Sequence, residues 1–141
     1  MAGFTLLEHT ADIGIIATGD SLEEALAWLA KGMFSLLVDP DTVAGQCSRQ
    51  VSLTARDRES LVVDWLNELL YLFEATGFLF KECQVALPGP GRLEAQCQGE
   101  LLDPARHQIQ TVIKAATYHG LEVSNELSNK GQWRVQVILD V

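Results

Sequence analysis

The sequence predicts an α+β fold, a two-layer sandwich of mostly antiparallel sheet with two main helices packed on one face. Three observations point there. Two segments carry apolar residues at helical spacing, one after Ser21 and one after Arg56-Asp57-Arg58-Glu59. The other apolar segments are short, and several alternate polar with apolar residues as half-buried strands do. The links between them are short, which favours antiparallel pairing over the long crossovers that parallel strands need. At 141 residues the chain is expected to be a single domain, 1–141, with a core of its own.

Each element has a local justification. Phe4 to Leu7 and Ile13 to Ala17 read as strands separated by the polar run Glu8-His9-Thr10-Ala11-Asp12, and Gly19-Asp20 reads as a turn. Ser21-Leu22-Glu23-Glu24 matches a capping box, in which the Ser hydroxyl satisfies one free N–H and the Glu returns a bond. Leu22, Ala25, Leu26, Leu29 and Met33 then hold one helical face until Asp39-Pro40-Asp41, where proline forbids continuation. Val51 to Ala55 alternates as a strand. Leu61, Val62, Trp65, Leu66, Leu69, Leu72 and Phe73 make the apolar face of a second helix that stops at Gly77. Cys83 to Leu87 and Leu93 to Cys97 flank Pro88-Gly89-Pro90-Gly91 as a hairpin. Glu100 to Ile109 reads as a loop, Val112 to Ala116 and Leu121 to Val123 as extended pieces, and Asn129-Lys130-Gly131 as a turn before the terminal strand from Trp133.

Composition narrows the function. A formal net charge of −9 disfavours broad binding to a nucleic-acid backbone, which needs clustered Lys and Arg. It suits a basic partner protein or metal ions. Cys47, Cys83 and Cys97 are odd in number and widely spaced, with no C-x-x-C pair, which argues against a zinc ribbon and fits a reducing compartment. No basic-then-apolar leader and no run of roughly 18 apolar residues is present, so no membrane is expected and the cytoplasm is. The phosphate loop, the dinucleotide fingerprint, the nucleophile elbow and H-E-x-x-H are all missing.

The candidate site lies at the two ends of the chain. On the last strand Trp133, Val135, Val137, Leu139 and Val141 point one way, and Arg134, Gln136, Ile138 and Asp140 the other. If that strand neighbours the one after Asp12, then Asp12, Asp140 and the carboxylate of Val141 converge. Crowded anionic oxygens repel unless a cation or shared protons offset them. Oxygen ligands point to a hard divalent ion, Ca²⁺, Mg²⁺ or Mn²⁺, rather than a thiolate metal. His9, Lys114 and His119 are supporting polar candidates, each with a plain structural alternative. His107 reads as a staple of its own loop. Trp28, Trp65 and Trp133 read as packing residues.

Several separated blocks resemble one family in order along nearly the whole chain. These are His9-Thr10-Ala11-Asp12-Ile13-Gly14, Trp65-Leu66-Asn67-Glu68-Leu69-Leu70-Tyr71-Leu72-Phe73, Lys114-Ala115-Ala116-Thr117-Tyr118-His119-Gly120-Leu121 and Val137-Ile138-Leu139-Asp140-Val141. They resemble the archease family. The resemblance implies a protein without catalytic activity of its own that activates an RtcB-type RNA ligase, the enzyme that seals tRNA exon halves and other broken RNA. Such a protein promotes transfer of GMP to the ligase histidine, supports multiple turnover and broadens nucleotide choice. RNA is then met only through the ligase. The resemblance also implies a metal site on Asp12, Asp140 and the final residue, Val141, which would offer main-chain or terminal oxygens, with Ca²⁺ foremost. Two other readings stay open: a small metal-dependent phosphoester hydrolase with His9 or His119 as base, and a chaperone-like binding module without metal chemistry.

Overall fold

The computed structural model describes residues 2–8, 12–125 and 131–141. Two antiparallel sheets and two helices make up the fold. The first sheet has the order β1 (Gly3–Glu8), β2 (Asp12–Gly19), β7 (Trp133–Asp140), β6 (Ala115–Ser124). The second has the order β3 (Cys47–Thr54), β5 (Arg92–Leu101), β4 (Phe78–Gly89). Helix α1 (Leu22–Leu37) packs against β2 of the first sheet and β4 of the second, and α2 (Arg58–Thr76) packs mainly on β6. The α+β class and the antiparallel pairing are those the sequence predicts. The partition into two sheets is additional. It follows from long-range pairing: both ends of the chain meet in one sheet, while the middle pairs with itself.

The helices begin and end for local reasons. Ser21 Oγ accepts the Glu24 N–H at 3.1 Å. Glu24 Oε1 in return accepts the N–H of Asp20 at 2.7 Å, one residue before the position a capping box specifies. That tight entry leaves no room at Gly19, where a Cβ would lie 2.7 Å from the Ala25 nitrogen. Helix α2 is capped by Asp57, whose carboxylate accepts the Ser60 N–H at 2.7 Å. This hydrogen bonding holds the Asp57 carboxyl below its ordinary range, with Arg56 adding to the effect. Gly77 closes the helix in the left-handed region, at φ 78°, donating to the Phe73 carbonyl. The helices are tied together where the buried Trp65 indole donates to the Leu26 carbonyl at 2.9 Å.

Two polar devices finish the fold. β6 is an edge strand, and Asn67 of α2 serves it as a substitute neighbour. Its Oδ1 accepts the Ala116 N–H at 2.8 Å and its Nδ2 donates to the Ala116 carbonyl at 3.3 Å. Edge backbone is thereby satisfied inside the protein rather than left open for another chain. The loop after β5 is stapled by His107, as its sequence suggests. The buried ring accepts the Asp103 N–H on Nδ1 at 2.9 Å, so the neutral imidazole carries its hydrogen on Nε2. Nε2 lies 3.0 Å from the Thr42 carbonyl and 3.2 Å from Glu100. Glu100, itself buried, also accepts from Ala44 N–H at 2.8 Å and pairs with Arg106.

Candidate metal centre

The alternation of β2 and β7 decides where the carboxylates go. Ile15, Ala17, Val135, Val137 and Leu139 are all fully buried and fix the inner face of the first sheet. The intervening residues therefore share the outer face. In the β2–β7 register Asp12 stands directly opposite Asp140, and Gly14 opposite Ile138. The two carboxylates are thus nearest cross-strand neighbours, although 128 positions separate them in the chain.

Around them is a small cleft of about 230 Å³ lined by Asp12, Thr117, His119, Ile138 and Asp140. Ile138, which lines it, packs close over Gly14: a Cβ there would lie 3.0 Å from Ile138 Cδ1 and 3.1 Å from Leu7 Cβ. The other wall of the cleft comes from an irregularity in β6, where the register with β7 shifts between Thr117 and Glu122. The shift is centred on Gly120, at φ 65°, and the segment folds over Ile138. Two bonds pin it. Thr117 Oγ1 donates to the Ile138 carbonyl at 2.9 Å, and Gln136 Nε2 donates to the Gly120 carbonyl at 2.9 Å. This kink brings His119 to the cleft.

The electrostatics are unbalanced. Asp12 Oδ1 is buried and has no hydrogen-bond partner among the described residues. Buried carboxylate oxygens are ordinarily bonded, and each exception calls for a cause. Like charges set directly opposite across two strands are destabilising. Two hard anionic oxygen donors, one of them orphaned, fit a divalent cation of the Ca²⁺, Mg²⁺ or Mn²⁺ type. Among the described residues, no three His, Cys, Asp or Glu side chains gather as a full ligand set. Protein carboxylates would thus supply part of the coordination, with main-chain oxygens or water completing it.

The other candidate residues divide. His119 joins the cleft and is exposed. Lys114 meets Asp140 through its backbone, donating its N–H to the Asp140 carbonyl at 2.8 Å, while its side chain is exposed. Val141 follows β7 and packs its side chain against the core, so only its oxygens are available to a metal. His9 lies outside the described residues. Sequence reasoning missed Thr117, Gly120 and Gln136. The signal for Thr117 was its place in the block before His119; Gln136 shares the parity of Asp140 on β7.

Comparison with known proteins decides the family. The model of the archease protein family (MTH1598/TM1083) matches residues 4–141. The chain belongs to the archease family. Archease of Methanosarcina mazei is 41% identical over 142 residues, covering 98% of this chain and 95% of that one. Archease of Pyrococcus abyssi is 36% identical over 137 residues, covering 95% of each. Among solved structures, the solution structure of protein 1598 from Methanobacterium thermoautotrophicum superposes with a TM-score of 0.80 at 34% identity, covering 99% of both chains. A crystal structure from Thermotoga maritima, described as an archease and possible chaperone, superposes with a TM-score of 0.64 at 20% identity, covering 96% and 94%. At that identity the second structure speaks for the archease fold alone. No helix among the described residues of this archease-family chain is long and apolar enough to cross a membrane.

Proposed function

We propose that this chain is a non-catalytic accessory protein of an RtcB-type RNA ligase in the cytoplasm. It promotes guanylylation of the ligase and repeated turnover in tRNA splicing and RNA repair, and it widens nucleotide use. The observation that carries the reading is the facing pair Asp12 and Asp140, with one buried oxygen unpartnered among the described residues, in a chain of the archease family. Asp12 and Asp140 would hold a divalent ion, Ca²⁺ foremost, with oxygens of Val141. Such an ion supplies a concentrated positive charge near phosphate oxygens. The chain's own part is to hold both carboxylates opposite each other on two paired strands, beside Ile138. The net charge of −9 favours docking beside a basic RNA-binding groove and disfavours direct RNA binding.

The test is a GMP-transfer assay on the cognate ligase with and without this protein. Stimulation by the parent and its loss in folded Asp12→Ala and Asp140→Ala variants are expected; full stimulation by both variants sinks the metal role. The alternative reading is a binding module for unfolded clients, without metal chemistry. That reading requires suppression of client aggregation that survives chelator. A stand-alone phosphoester hydrolase requires turnover with no ligase present.

A further inference from the structure

Strands β4 and β5 pair so that Cys83 stands directly opposite Cys97. Facing residues on antiparallel strands project to the same side of the sheet. Here that side is the inner one: Cys97 is fully buried, and Cys83 is half-buried and packs against the core. Facing pairs have Cα atoms about 4.5–5.5 Å apart. A disulfide spans Cα separations of about 4.4–6.8 Å, so the spacing of a facing pair falls within its reach. The two thiols are close enough to influence each other's ionisation. The third cysteine is placed differently. Cys47 on β3 faces Gly99, and its thiol donates to the Gly99 carbonyl at 3.4 Å.

We propose that Cys83 and Cys97 are an oxidant-responsive dithiol that closes to a cross-strand disulfide on reaction with a hydroperoxide. Cys83 reacts first because only it reaches solvent. Its thiolate attacks the peroxide O–O bond, becoming a sulfenic acid and releasing an alkoxide or hydroxide that takes up a proton as alcohol or water. The Cys97 sulfur then attacks the Cys83 sulfur and displaces the sulfenic hydroxyl, which takes up the Cys97 proton and leaves as water. Two thiols are oxidised, one hydroperoxide is reduced, and the sulfur–sulfur bond joins β4 to β5. The contact with Cys97, followed by burial, pushes the Cys83 thiol up; Glu82 adds to this and Lys31 opposes it. The thiolate is therefore scarce at neutral pH, and closure is slow there and faster in alkali. The pair lies in the β3–β5–β4 sheet, away from the Asp12–Asp140 cleft, so this inference is independent of the ligase reading.

The experiment treats the folded full chain with hydrogen peroxide between pH 7 and 9, alkylates remaining thiols in denaturant, and maps peptides without reduction. A peptide linking Cys83 to Cys97 is expected, with Cys47 alkylated and the link reversed by dithiothreitol. Its rate should rise roughly tenfold per pH unit while the thiol stays protonated. Cys47→Ser should keep the link, and Cys83→Ser and Cys97→Ala should each abolish it. A cross-link through Cys47, oxidation of Cys83 that stops at the sulfinic acid with Cys97 still alkylated, or survival of all three thiols at pH 9 overturns the proposal. The wild-type peptide map decides the matter even if the Cys97 variant does not fold.

Discussion

Replacing Asp12 with Asn tests the carboxylate cleft while keeping its shape. Facing residues on antiparallel strands have Cβ atoms about 4.5–5.5 Å apart, and a charge separation of about 5 Å is taken from that spacing. Unit charges at that distance repel by about 3 kcal/mol at an effective dielectric of 20 and by about 1 kcal/mol in bulk water. Asp140 is exposed and Asp12 is half-buried, which places the figure near the lower end. Without metal, Asp12→Asn should therefore be about 1 kcal/mol more stable than the parent. With metal the order should invert. A cation at a hundredfold excess over its Kd stabilises the parent by about 2.7 kcal/mol, and the variant, with one carboxylate fewer, gains far less. Urea unfolding in chelator and in millimolar Ca²⁺, Mg²⁺ and Mn²⁺ reads both halves of this expectation. A parent indifferent to all three ions, or a variant that gains as much as the parent, refutes the reasoning.

Four further outcomes follow from particular contacts. His107→Ala leaves the Asp103 N–H without its acceptor and removes a partner of the buried Glu100; a loss of about 2–3 kcal/mol in urea unfolding is expected. Asn67→Ala strips both bonds from Ala116 on the edge of β6. It should cost about 1–3 kcal/mol and speed amide exchange at Ala116 while buried amides elsewhere keep their protection. Gly120→Ala forces a Cβ into the left-handed region 3.2 Å from Ile138 Cγ1, and a thermal melt should show a loss of about 1–2 kcal/mol together with shifted His119 ring resonances. For Asp57, the folded carboxyl titrates below its unfolded value of 3.8, so its contribution is complete above that value and is lost as pH falls through the lower one. The melting-temperature gap between parent and Asp57→Ala should thus be steady near neutrality and close in strong acid.

What the sequence discloses is what short-range chemistry specifies. Ser21 and Glu24 announce the start of α1, Gly77 the end of α2, and the alternation from Trp133 to Val141 sets the parity of Asp140. The meeting of Asp12 with Asp140 is legible only on the condition that their strands are neighbours, which the register meets. The kink that brings His119 to the cleft is not legible. Gly120 breaks the alternation, so one strand from Ala115 to Ser124 reads as two unconnected pieces. The Cys83–Cys97 pairing is hidden for a related reason. Pro88-Gly89-Pro90-Gly91 reads as a four-residue link, whereas only Pro90 and Gly91 make the turn and an irregularity between Ala86 and Gly89 resets the register. Register depends on turn geometry, and composition does not report it.

The repulsion between Asp12 and Asp140 persists because the core outweighs it. Sliding β2 by one residue would separate the carboxylates, but it would also turn Ile15 and Ala17 outward, and the same slip in β7 would expose Val135, Val137 and Leu139. Fully burying one such Val, Leu or Ile side chain is worth roughly 1.5–3 kcal/mol. Several of them stand against a repulsion of about 1 kcal/mol, so packing sets the register and the carboxylates are left facing each other. Relief by sequence change was open at either position, since Asn keeps the shape of Asp, yet the chain holds an acid at both. A pair held together by the core in this way favours whatever neutralises it, and a divalent cation does so without moving a strand. The cleft is in this sense set by the fold itself: the strands supply the geometry, Ile138, Thr117 and His119 line it, and the two facing carboxylates give it its negative charge.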